Sequence, residues 1–129
     1  MLKYSFLIIL VSLFALNMGG SNFGASFAAA HGGGILSKRK AQILFAIFIL
    51  LGALLVGSRV AETLGNKIIP TEVLTLDNVI IILISATISL FIANLLHVPQ
   101  STSLVTVASI FGVGLYFGGV NSKTFLYLV

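Results

Sequence analysis

The sequence predicts an all-α integral membrane fold, and three observations carry that prediction. First, the 129 residues are 58% hydrophobic and 8% charged, with a mean hydropathy of +1.17. Soluble domains carry roughly a quarter charged residues, so this chain has too little polar surface to cover a globule in water. Second, apolar runs recur at the length that a hydrocarbon core about 30 Å thick demands, about 20 residues per helix. Third, the basic residues sit beside the ends of those runs, where topology signals stand. Most of the net charge of +4 therefore reads as orientation in a membrane, with no exposed basic stripe to suggest nucleic acid.

The first run, "YSFLIILVSLFALNMGG" at residues 4–20, follows Lys3. A signal peptide would share that flank, but the run continues through Asn17 into a glycine-rich segment with no persuasive A-x-A site, and more spanning segments follow. A spanning helix is the preferred reading. Residues 17–34, "NMGGSNFGASFAAAHGGG", break the apolar texture. Gly19, Gly20, Gly24, Gly32 and Gly34 permit sharp turns, whereas Ser21, Asn22 and Ser26 bring hydroxyl and amide groups. Irregular backbone at membrane depth survives only inside protein or along a watery cavity, so this segment is expected to be a helix break lining a site. Small-residue helix packing is the alternative.

Lys38, Arg39 and Lys40 form the densest basic cluster and are expected to face the cytoplasm. The second span, residues 41–58, then leads outward. The connection at residues 59–78 mixes Arg59 and Lys67 with Glu62, Glu72 and Asp77 and is expected outside. Arg59 and Glu62, three apart, could pair on one helical face. The third span, residues 79–98, returns inward and ends at Asn94 and His97, a polar pattern ordinary for an interface. Pro99 marks the helix end. Ser101, Thr102 and Ser103 then offer either a plain N-cap or donors for an anion at a helix start. The fourth run, residues 103–120, is interrupted by Gly112, Gly114, Gly118 and Gly119 and reads as a further span or a re-entrant element. The fold is thus three to four transmembrane helices plus broken segments.

No cysteine is present, which excludes disulfides and thiolate chemistry. His31 lacks a second ligand at metal spacing, so no metal site and no cofactor is expected. Catalytic triads, paired acids and phosphate loops are absent from the sequence, which argues against an enzyme. Gly- and Pro-interrupted apolar segments instead point to a secondary transporter.

Three blocks in order resemble the inorganic phosphate transporter (PiT) family. The family's G-x-N-D-x-A-N-x-x-G falls on "GGSNFGASFA", with Gly19 retained, Ser21 and Asn22 where asparagine and aspartate are usual, and Ala25 at the second asparagine. "AIFILLGALLVGSRVAETLGNKII" is similar to the next block, with Ile49 in place of a glutamate. "VPQSTSLVTV" keeps Pro99, Ser101, Thr102 and Ser103, with Leu104 in place of a histidine. The resemblance implies an inner-membrane permease for an inorganic anion, phosphate or, by the variant first block, sulfate as in PiT-related sulfate permeases. It implies that Ser21, Asn22, Ser26, Ser101, Thr102 and Ser103 bind substrate, with the two polar segments meeting near mid-membrane. The lost acids argue against sodium as coupling ion and leave a proton open. Family members contain two inverted repeats, so residues 1–129 are expected to be one transmembrane domain, a first-repeat half. That half would need a second half or another copy of itself, unless it is a non-transporting subunit or a fragment.

Overall fold

The computed structural model describes residues 2–98 and 100–117. Helix α1 spans Leu2–Gly32, α2 spans Lys38–Glu62, α3 spans Leu76–Leu95 and α4 spans Thr102–Tyr116. There is no strand among the described residues. α1, α3 and α2 with its continuation to Gly65 are each long and apolar enough to cross a membrane, whereas α4 is shorter. The all-helical fold and its count of spans are therefore as the sequence predicts.

The helix break in α1 is not where the sequence suggested. α1 continues through Gly19, Gly20 and Gly24 for 31 residues, a length of about 46 Å. Glycine weakens a helix in water, but in an apolar medium the intrahelical ladder is the available partner for each peptide group. A Cβ added at Gly19, Gly20 or Gly24 would meet nothing within 4 Å, so no close backbone approach requires these glycines. α1 ends at Gly32, and the chain turns at Gly34, whose φ is +71°. There Ile35 N–H donates to the Ala30 carbonyl at 3.0 Å and Gly34 N–H to the His31 carbonyl at 3.1 Å, the paired bonds of a left-handed helix ending. Gly34→Ala is expected to destabilise this corner by about 1 kcal/mol, since a Cβ is disfavoured at positive φ. Faster amide exchange at Gly34 and Ile35 would register it.

α2 runs on into a π-helical turn, Thr63–Lys67, and Thr63 Oγ1 donates back to the Arg59 carbonyl at 2.9 Å. Arg59 and Glu62 form no ion pair; the ion pair among the described residues joins Lys3 to Asp77 at 2.7 Å. A 3-10 turn at Thr71–Val73 leads to α3, which Thr75 caps by accepting from Asn78 N–H. Buried Asn78 also donates from Nδ2 to the Val73 carbonyl at 2.7 Å, fixing the entry to the helix.

α3 is the centre of the packing. Ile82 meets Ile68, Ile69 and Ile110 in one cluster, while Ala86 and Leu90 meet Val105, with Phe14 against them, in the other. The buried positions 78, 82, 86 and 90 recur every four residues, one stripe of a helix. α4 stays helical through Gly112 and Gly114, so within the described residues it is unbroken. Gly118 and Gly119 lie outside them, as does Pro99. None of the 18-residue apolar window of α2 is buried.

Candidate functional site

α1 and α3 lie side by side in the same direction. Lys3 meets Asp77 at their N-terminal ends. Further along, Asn17 Nδ2 donates to the Thr87 carbonyl at 3.3 Å, and Asn94 Nδ2 donates to Asn17 Oδ1. Amide bonds between helices are a usual polar fastening in an apolar medium. This register sets the small-residue stretch of α1 against the C-terminal end of α3.

A cleft of about 450 Å³ opens there. From α1 come Ser21 and Asn22; from the end of α3 and the segment after it come Asn94, His97 and Gln100. Gly20, Gly24, Ala25 and Ala93, with little side-chain bulk, and Val98 complete the walls. No lysine, arginine, aspartate or glutamate lines it. The side chains of Ser21 and Asn22 have no hydrogen-bond partner among the described residues, and both are partly buried. Hydroxyl, amide and imidazole groups so placed are donors and acceptors for a polar guest.

His97 occupies a backbone position that a side chain rarely takes, with φ 56°. The helix end explains it. Val98 N–H donates to the Ala93 carbonyl at 2.9 Å and His97 N–H to the Asn94 carbonyl at 3.2 Å, the same left-handed ending that Gly34 makes for α1. A non-glycine residue in this conformation costs roughly 1–2 kcal/mol. His97→Gly is accordingly expected to raise stability by about 1 kcal/mol, read as a higher thermal midpoint in detergent.

The second polar segment reaches the cleft by its first residue. Gln100 lines it and also donates from Nε2 to Ser89 Oγ at 3.3 Å. Ser101 instead caps α4, its Oγ accepting from Leu104 N–H at 3.3 Å. Thr102 is buried at the helix start, and Ser103 is exposed; neither lines the cleft, and nor does exposed Ser26. Of the residues expected to bind substrate, the structure thus brings Ser21 and Asn22 together with the approach to α4. Asn94 and His97, read from sequence as interfacial, and Gln100, not singled out there, share the cleft. Their signal was slight: three polar side chains at spacing three around a proline, after an apolar run.

The family model described as the phosphate transporter family matches residues 18–128. The sulfate permease CysP of Bacillus subtilis is 45% identical over 94% of this chain and 35% of its own length. A putative phosphate permease of Pyrococcus furiosus is 33% identical over 88% of the chain and 29% of its own length. The sodium-dependent phosphate transporter 2 of Xenopus laevis is 31% identical over 81% of the chain and 17% of its own. The chain spans about a third or less of the length of these relatives. No solved structure matches it. The match across most of its length, by model and by relatives together, means that this chain belongs to the phosphate transporter family.

Proposed function

We propose that the chain is one half of an inorganic anion permease and that its cleft takes sulfate in preference to phosphate. The observation that carries this reading is the make-up of the cleft: Ser21, Asn22, Asn94, His97 and Gln100, without a carboxylate. Sulfate at neutral pH has no proton to give, so it needs donors alone. Phosphate retains at least one hydroxyl and gains from a strong acceptor such as a carboxylate, the contact best suited to telling the two apart. The 45% identity to a protein named a sulfate permease supports the same choice. The absence of a carboxylate also disfavours sodium coupling, because negative charge close by best offsets a cation's loss of its water shell, and it leaves a proton open as the coupling ion.

Transport would proceed by alternating access, one repeat rocking against another around a fixed site, in the membrane that encloses the cell. The second repeat would come from another half or from a second copy of this chain. Binding is the direct test. Radiolabelled sulfate and phosphate are offered to the purified 129-residue chain in proteoliposomes, with sodium or choline as the cation. Sulfate retained in both cations, and displaced poorly by phosphate, is the expected result. Preference for phosphate, a steep sodium requirement, or no retention of either anion would overturn the proposal.

A further inference from the structure

Between α1 and α2, close to their connecting turn, lies a second and narrower cavity of about 240 Å³. Phe23, Phe27, Ala28 and Ala41 wall it, and His31 and Lys38 line it as well. Phe45 braces the aromatic wall, with ring centroids 5.3 Å from Phe23 and 6.1 Å from Phe27. Its body is therefore a slot for something apolar.

The charge beside it is uncompensated. Lys38, Arg39 and Lys40 are all exposed and form no ion pair among the described residues. Of the three Asp and Glu residues of the chain, Glu62 ends α2, Glu72 lies in the 3-10 turn after it and Asp77 in the first turn of α3. The first turn of α2 contains no acid, and Ser37 makes no side-chain cap bond, so helix-end N–H groups add their partial positive charge to the same place.

An inorganic anion would answer the charge and leave the aromatic slot without a partner. A neutral lipid would fill the slot and leave the cations without one. We propose that this site binds an anionic phospholipid, one acyl chain lying in the slot and the phosphate held by Lys38, Arg39 and Lys40. Entry is direct, because the face of α2 is bare and the slot opens between two helices that lipid already surrounds. Basic pockets between membrane helices hold anionic headgroups for the same electrostatic reason. The slot shares only Gly24 with the lining of the polar cleft, and its lipid does not depend on which anion that cleft takes.

The test is native mass spectrometry of the 129-residue chain in neutral detergent, with phosphatidylglycerol and phosphatidylcholine of identical dioleoyl chains in competition. Three cations near one phosphate predict a preference for phosphatidylglycerol of roughly a hundredfold. K38Q/R39Q/K40Q should erase the preference while leaving weak retention of both lipids. Ala28→Phe, which fills the slot and keeps every charge, should lower the retention of both. Inorganic phosphate in excess should fail to displace phosphatidylglycerol from the wild-type chain. Equal retention of the two lipids by the wild-type chain would overturn the proposal even where a variant loses its fold. So would displacement by inorganic phosphate, which would mark a free-anion site, or full retention in Ala28→Phe, which would mark surface charge alone.

Discussion

Asn22→Asp is expected to remove sulfate binding by the cleft almost completely. Asn22 and aspartate have nearly the same shape, so the substitution adds one negative charge and little else. At a separation of about 5 Å and an effective dielectric of about 20, each pair of like unit charges costs about 3 kcal/mol. That is about a hundredfold in Kd for each of the two charges on the anion, before any relief from screening. Side-chain amide protons that could donate to the anion are lost as well. Equilibrium retention of labelled sulfate in proteoliposomes measures the effect, and helix content by circular dichroism shows whether the fold is intact. A Kd unchanged in a folded variant would remove Asn22 from the binding residues. Asn22→Gln, neutral and longer, should cost far less.

The second large effect concerns the packing that holds the cleft open. Leu90 is 1% exposed and sits with Ala86, Val105 and Phe14 where α1, α3 and α4 converge. Leu90→Ala should destabilise this unit by about 2–5 kcal/mol, the range for a buried leucine whose cavity does not collapse. Between helices in lipid the lost quantity is contact rather than the exclusion of water. Leu54, 82% exposed on α2, is the control, and Leu54→Ala should leave the unfolding midpoint nearly unchanged. Chemical unfolding in mixed detergent micelles compares the two.

Some of this architecture is legible in the residues. The apolar lengths of α2 and α3, the glycine corner at Gly34 and the cap at Ser101 follow from local rules, each depending on a few consecutive positions. The course of α1 does not. Read as it would behave in water, "NMGGSNFGAS" is a poor helix; in a medium without competing hydrogen-bond partners it stays helical. The cleft was half legible. Ser21 and Asn22 stand out as polar groups in a greasy run, but Asn94, His97 and Gln100 join them only because α1 lies against α3 in one register. That register rests on Lys3 with Asp77 and Asn17 with Asn94, pairs separated by 74 and 77 residues, and no local pattern encodes them.

Those separations bear on biogenesis. Asn17 leaves the ribosome ahead of its partners Thr87 and Asn94, which are encoded 70 and 77 residues later. At about 5–20 residues per second, the amide waits roughly 4–15 s before either exists. During that interval α1 must remain beside the insertion machinery, or keep Asn17 hydrated at the bilayer surface, while α2 is threaded past it. Only when α3 has been made does Asn17 gain the Thr87 carbonyl and the Asn94 side chain, so the polar fastening of α1 comes after α2 rather than in the order of translation.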